Sequence, residues 1–320
     1  MADPSSDDAH RREPDAPDRD GAGAPDGGEP ADGATATGDG PPPGDGPPTG
    51  DDTASATADD GPGGRDLAIA IATAVLLGVL GPAVALLSGG VVLGLNALTG
   101  GLSLPVNLVL TLVLGQYVAF GGLAITYLTW RGLDRSGIVA YLGVRRPSLK
   151  EIGLVIGGWA LIVVTLIVVS FVTQLIGSEA APNQSAEIAM QNPGIIPLFV
   201  AASFLVIGPS EEILYRGVVQ GRLRETLSPV PAILIASAIF AAIHVIALTG
   251  GASARITTIS ILFFPSIVFG AVYEYTENLV VPALLHGLHN AVIFTIIYLS
   301  VAYSDQIQGA AEGSAALLPI

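Results

Sequence analysis

Cysteine is absent from this 320-residue chain, which excludes disulfide bonds, thiolate metal sites and cysteine nucleophiles. Charged residues are also scarce. They make up 13% of the chain, whereas a soluble domain carries about 25%. Basic residues are in the minority, because the formal net charge is −15. Nucleic-acid binding requires a positive surface, so we expect no nucleic-acid partner.

Large apolar and aromatic side chains are missing from the first part of the chain. Between Ala2 and Arg65 there is no Val, Ile, Leu, Met, Phe, Trp or Tyr. Residues 1–66 hold 17 of the 28 acidic residues and four of the 13 basic ones, a net charge of −13. Such a segment has nothing to bury that would offset the entropy lost on ordering. We predict a disordered acidic tail over 1–66, and its composition favours a salt-adapted (halophilic) solubilising tail over an interaction arm.

The remainder of the chain is close to neutral and rich in uncharged apolar runs. Crossing about 30 Å of hydrocarbon takes about 20 helical residues, and runs without alternation indicate helices rather than a barrel. The runs are 67–98, 102–130, 152–177, 195–210, 230–250, 256–273 and 279–303. The sequence therefore predicts an all-α, polytopic transmembrane helix bundle over 67–303, followed by a C-terminal tail at 304–320. It has seven spans, or eight if the first run breaks at 88–90.

Arginines in the connecting loops predict the orientation in the membrane. The loop 131–151 and the turn 222–229 are rich in arginine, whereas the loop 178–194 carries Glu179 and Glu187 and no base. Positively charged loops stay in the cytoplasm. We therefore predict a multi-pass cell-membrane protein, surrounded by membrane lipids, with its N-terminal tail in the cytoplasm.

Three polar clusters inside the apolar runs are the main functional signal. Ionisable groups in a membrane span are costly and usually mark a function. The clusters contain Glu211, Glu212 and Arg216; His244; and His286, His289 and Asn290.

Helix geometry separates the roles of these residues. Glu212 and Arg216 are four residues apart and are expected to form an ion pair. Glu211 then points elsewhere, free to face a cavity. His286 and Asn290 share one helix face, while His289 lies to the side and has no assigned role.

Two prolines lie beside the polar clusters. Pro209 and Pro282 indicate either kinked helices that open room for a cavity or ordinary prolines of membrane helices. We expect the site at mid-membrane depth, opening toward the arginine-rich loops.

A carboxylate, two imidazoles and an amide support two kinds of hydrolysis. Glu211 can act as the base on a water, helped by His244, while His286 and Asn290 stabilise an oxyanion. Alternatively, His244 and His286 can bind Zn²⁺, which activates the water. The residues leave both open.

The spacing Glu211-Glu212-x-x-x-Arg216, Phe240-x-x-x-His244 and His286-x-x-x-Asn290 resembles that of the CPBP (CAAX-processing and bacteriocin-processing, or Abi) intramembrane proteases. The resemblance covers about 140–295, and the first two spans add no motif. It implies an endopeptidase that cleaves membrane-associated or lipidated, CAAX-like proteins. In it Glu211 would activate water beside His244, and His286 and Asn290 would bind the metal or the oxyanion.

Two other functions compete with a protease. The first is a non-proteolytic membrane scaffold or immunity-type protein that retains the motif. The second is an ion-coupled transporter, which is disfavoured because transporters usually show internal repeats and none is evident.

Overall fold

The computed structural model describes residues 63–304 and Gln306, and this part of the chain is helical without a β-strand. The predicted all-α class is therefore confirmed. Nearly all of the predicted acidic tail, and all of the C-terminal tail except Ser304 and Gln306, lie outside the described residues.

Seven of the described helices are long and apolar enough to cross a membrane, as predicted. The first helix continues unbroken through 88–90, so the eighth span is not formed. The helices are α1 (Gly64–Thr99), α2 (Leu104–Trp130), α3 (Arg135–Tyr141), α4 (Leu149–Leu175), α5 (Gln184–Gln191), α6 (Pro193–Arg224), α7 (Pro229–Ala247), α8 (Ala252–Thr276) and α9 (Val280–Ala302). The two short helices, α3 and α5, lie in the loops on either side of α4.

Arginine-rich loops meet at one end of the bundle, which we call the basic end. Arg131, after α2, pairs with Glu225 in the α6–α7 turn. Arg145, before α4, pairs with Glu151 at 2.6 Å and donates to the Thr276 carbonyl at the end of α8, 3.0 Å away. These contacts place the loops 131–148 and 225–228 on one side.

Helix α3 at the basic end begins with a side-chain cap. The Asp134 carboxylate accepts from the Gly137 amide at 2.7 Å and from the Ser136 hydroxyl at 2.9 Å. These hydrogen bonds, the Gly137 bond above all, favour the ionised form and lower the pKa of Asp134. The cap is therefore retained at neutral pH and lost only as the pH falls through this lowered pKa.

The loop that carries α5 lies at the opposite end of the bundle and packs on the α7–α8 turn. The Ala181 amide donates to the Ala254 carbonyl at 3.1 Å, and the Thr249 amide donates to the Pro182 carbonyl at 3.0 Å. Helix α5 is thereby held against the ends of α7 and α8.

Helix α6, which carries the first polar cluster, is not a regular α-helix. Its hydrogen bonding widens to the π type over Ser203–Ile207 and again over Ile213–Gln220, on both sides of Gly208–Glu212. Pro209 has no N–H to donate, so one backbone hydrogen bond of the helix is missing there. Turns of the π type accommodate such an interruption. The predicted distortion beside Pro209 is therefore present.

Of the two interpretations of Pro282, the ordinary helix proline is the one that the structure shows. Helix α9 begins at Val280 and continues as a regular α-helix to Ala302. Pro282 lies in its first turn, where the backbone N–H groups have no partner inside the helix, so its missing donor costs nothing.

Two glycines let α6 and α9 touch along their backbones. A Cβ added to Gly208 would lie 2.7 Å from the Ala283 carbonyl oxygen, and one added to Gly287 would lie 2.9 Å from the Ser203 carbonyl oxygen. Only glycine leaves room for this approach. The contact brings the acidic pair of α6 against the histidines of α9.

The absence of native cysteine allows the predicted orientation to be tested with single thiols. We expect Ala180→Cys, exposed at the opposite end, to react with an impermeant maleimide in intact cells. Ser136→Cys, exposed at the basic end, should react only after the membrane is opened. The reverse labelling pattern would contradict the predicted orientation.

Candidate active site

The three polar clusters converge on one cavity inside the bundle. Its volume is about 310 Å³, and it lies between α2, α6, α7, α8 and α9, with apolar walls that include Phe240 and Phe269. The polar side chains at its centre are Gln116, Glu211, His244, His286, His289 and Asn290. All four predicted catalytic residues therefore line the same cavity.

Glu212 lies behind the cavity and is completely buried. One carboxylate oxygen, Oε2, pairs with Arg216 Nε at 3.1 Å, which is the ion pair that the spacing predicted. The other, Oε1, is 2.8 Å from His286 Nδ1. Because an ionised carboxylate can only accept, Nδ1 carries the proton. The second nitrogen of His286, Nε2, is left as an acceptor.

Arg216 is also completely buried and is contacted by four side chains. Besides Glu212, it donates to the Ser266 hydroxyl at 3.1 Å. Its guanidinium carbon lies 4.7 Å from the centre of the Phe240 ring and 5.6 Å from that of Phe269. Aromatic faces attract a desolvated cation, so these rings stabilise the charge that balances Glu212.

Glu211 points away from Arg216 and faces the cavity. Its Oε1 accepts from Gln116 Nε2 at 3.0 Å, and the Ser210 hydroxyl in turn donates to Gln116 Oε1 at 2.9 Å. Its Oε2 is buried, has no hydrogen-bond partner among the described residues, and lies 3.9 Å from His286 Nε2. One carboxylate oxygen is thus fixed and the other is free.

Gln116 is a site residue that the sequence analysis missed, since no motif was assigned to the first two spans. It lies in the π-helical part of α2, Val113–Gly122. An amide side chain within the apolar run 102–130 was the available signal, because polar groups inside a span usually find a partner there.

His244 and Asn290 complete the polar wall. His244 Nδ1 donates to the Phe240 carbonyl at 2.7 Å, so its Nε2 is the atom available for chemistry. Its ring also packs against the Phe240 ring, with centroids 4.7 Å apart. Asn290 lies one turn after His286 on α9, on the same face, as the spacing predicted.

The cavity extends toward the end opposite the basic loops. Asn183 and Ser185 of the α5 region and Leu248 of the α7–α8 turn belong to its wall, and His244 lies in the last turn of α7. The expected opening toward the arginine-rich loops is therefore wrong.

The described residues do not complete a metal site. Among them no group of three or more His, Asp or Glu side chains is placed to hold a metal ion, whereas catalytic zinc usually has three protein ligands. Zn²⁺ bound by His244 and His286 stays a prediction.

Comparison with known proteins finds one family model that matches part of the chain. Residues 193–292 match the family model of the "Type II CAAX prenyl endopeptidase Rce1-like" proteins. The matched segment runs from the start of α6 into α9 and contains Glu211, His244, His286 and Asn290. No curated protein and no solved structure gives a significant match.

The buried ion pair makes a prediction about stability. Arg216→Met leaves the Glu212 carboxylate without its cation, and we expect a loss of about 3–5 kcal/mol in the free energy of unfolding. Arg222→Met, the control, breaks a partly exposed pair with Glu225 and should cost about 0–1 kcal/mol. Denaturant unfolding in detergent measures both.

A double variant separates the stability that comes from the ion pair from other contributions of the Arg216 side chain. Glu212→Gln combined with Arg216→Met removes both charges, so it should lose less stability than the two single variants added together. Strict additivity would contradict a coupled buried pair.

Proposed function

Since residues 193–292 match the type II CAAX prenyl endopeptidase family, we propose that this multi-pass membrane protein is an intramembrane endopeptidase with Glu211 as its base. Its substrates are membrane-associated or lipidated proteins. The observation that carries the proposal is the free Oε2 of Glu211, which faces His286 Nε2 across 3.9 Å within a buried cavity.

A water molecule between these two acceptors is held for attack. Two hydrogen bonds of ordinary length from one water span 3.9 Å, so it donates one hydrogen to Glu211 Oε2 and the other to His286 Nε2. Its lone pairs then point into the cavity. Glu211 takes a proton as the oxygen attacks the scissile carbonyl, and it returns that proton to the leaving amine as the C–N bond breaks.

The tautomer of His286 changes the role that the sequence suggested for it. The sequence left two roles open for His286 and Asn290, binding a metal or stabilising the oxyanion. With Nδ1–H donated to Glu212, the neutral ring has only an acceptor to offer, which suits the water better than an oxyanion. The Asn290 amide is the donor for the oxyanion, and His244 Nε2 is a second proton acceptor beside Glu211.

Glu212 and Gln116 are positioning residues in this scheme. Glu212 fixes the ring of His286, and Gln116 holds one oxygen of Glu211 so that the other faces the water. Both residues orient the groups that bind the water. Proton transfer depends first on this geometry and only then on the pKa values of the groups.

Replacing the base should slow cleavage strongly without disturbing the fold. Glu211→Gln keeps the shape and the bond to Gln116 but cannot accept a proton, so we expect turnover to fall about 10²–10⁴-fold. The measurement is a survey of protein termini in membranes of cells that carry wild type or Glu211→Gln. Termini that depend on Glu211 identify the substrates.

A matched control is Glu179→Gln, the same change at an exposed loop position. It should leave the terminal profile as in wild type. If Glu211→Gln protein is present at normal levels and the profiles are identical, the protease proposal fails and a non-proteolytic scaffold takes its place.

A further inference from the structure

The end of α3 and the loop that follows it pack between α6 and the turn that leads into α9. We call this segment, 141–145, the wedge. Leu142 is 4% exposed and lies against α6, where a Cβ added to Gly217 would be 2.3 Å from Leu142 Cδ2. One turn further along α6, a Cβ added to Gly221 would be 2.7 Å from the Tyr141 hydroxyl oxygen. Two glycines of α6 therefore make room for one side of the wedge.

The other side of the wedge contacts the α8–α9 turn through the backbone. Gly143 has a φ of +64°, and a Cβ added to it would lie 1.9 Å from the Glu277 carbonyl oxygen. Glu277 itself has a φ of 48°, the one positive value among the described residues other than glycine. Arg145 donates to the carbonyl of the preceding residue, Thr276, at 3.0 Å. A backbone of this kind persists only where its surroundings hold it, and here the wedge is part of those surroundings.

The α8–α9 turn determines where α9 begins. Asn278 in this turn is completely buried, and its side-chain oxygen accepts from the amide of Val280, the first residue of α9, at 3.2 Å. His286 follows six residues later, about 9 Å along the helix axis. Because a helix moves as a rigid element over so short a length, a displacement of the turn is carried to His286.

The wedge lies where α6 and α9 separate. Helix α9 packs along 196–212 of α6 but little against 213–220. Leu142 belongs to the buried apolar cluster around this second stretch, together with Leu279 just before α9. At this end of their contact, the two helices are therefore spaced by the wedge.

We infer that Leu142 and Gly143 are positioning residues of the proposed active site. They set the spacing of α6 and α9 and so hold Glu211 Oε2 and His286 Nε2 3.9 Å apart. The inference rests on the proposed function and adds an element outside the cavity on which its geometry depends. A single water bridges the two atoms only near this distance. A misplacement of about 1 Å costs about 10²-fold in rate.

Two glycines of the same backbone conformation provide a matched pair of variants. Gly177 has a φ of +66°, close to that of Gly143, but a Cβ added to it would meet nothing within 4 Å. Alanine therefore brings the same backbone strain at both positions and a clash with Glu277 only at Gly143. On a peptide whose sequence comes from the survey of termini, Gly143→Ala should lower kcat about 10²-fold and leave KM within about twofold. Gly177→Ala should change neither.

The spacing itself can be measured without turnover, because the absence of native cysteine allows two introduced cysteines to be spin-labelled. Ser228 is exposed in the α6–α7 turn, and Tyr275 is 79% exposed in the last turn of α8. In the Ser228→Cys, Tyr275→Cys protein in lipid nanodiscs, Gly143→Ala should shift the distance between the labels by about 1 Å, the overlap of the added Cβ with the Glu277 oxygen. Gly177→Ala should leave this distance unchanged.

A size exchange tests the α6 side of the wedge without a positive φ. Leu142→Ala removes the side chain that spaces the helices, and Gly217→Ala alone clashes with that side chain. Each single variant should lower kcat about tenfold. The double variant should recover most of the loss, because the added methyl group occupies the space of the lost leucine carbon.

The outcomes separate this inference from the proposed function. Equal losses for Gly143→Ala and Gly177→Ala would overturn it, because backbone strain alone would then be the cause. A loss of kcat at an unchanged label distance, or a changed distance with normal kcat, would overturn it as well. So would strictly additive losses in the size exchange. A label distance that depends on Gly143 in a protein that cleaves no peptide would support the wedge as the spacer of α6 and α9 and refute the protease.

Discussion

The organisation of this site depends on one buried carboxylate. Glu212 has no contact with water, and each of its oxygens binds a different neighbour, Arg216 on its own helix and His286 on α9. An ionised carboxylate in an apolar bundle is tolerable only when it is paired in this way. The same pairing fixes which nitrogen of His286 carries a proton. The buried carboxylate therefore balances the charge of Arg216 and at the same time fixes the orientation of the His286 ring.

The surrounding helices are shaped to allow that interaction. Gly208 and Gly287 bring α6 and α9 to backbone contact. Glu211 and Glu212 are neighbours on the α-helical part of α6, so their side chains point about 100° apart. Phe240 and Phe269 pack against the Arg216 guanidinium. The cavity lined by Glu211 lies beside this buried ion pair.

Much of this could be predicted from the sequence, because its determinants are local. Apolar run lengths gave the seven spans, and the i, i+4 spacing gave the Glu212–Arg216 pair. Contacts between distant segments could not be predicted in the same way. The link of Glu212 to His286, the bond of Gln116 to Glu211 and the direction of the cavity depend on how helices pack, and no periodicity encodes that.

The hydrogen bond from Gln116 to Glu211 joins a part of the chain outside the family match to a part inside it. Glu211 lies inside the matched segment 193–292, whereas Gln116 lies 95 residues earlier, on a helix outside it. The most recognisable part of the chain is therefore not a self-sufficient module. A chimera that grafts the matched helices onto another membrane scaffold would inherit the carboxylate and lose the amide that orients it.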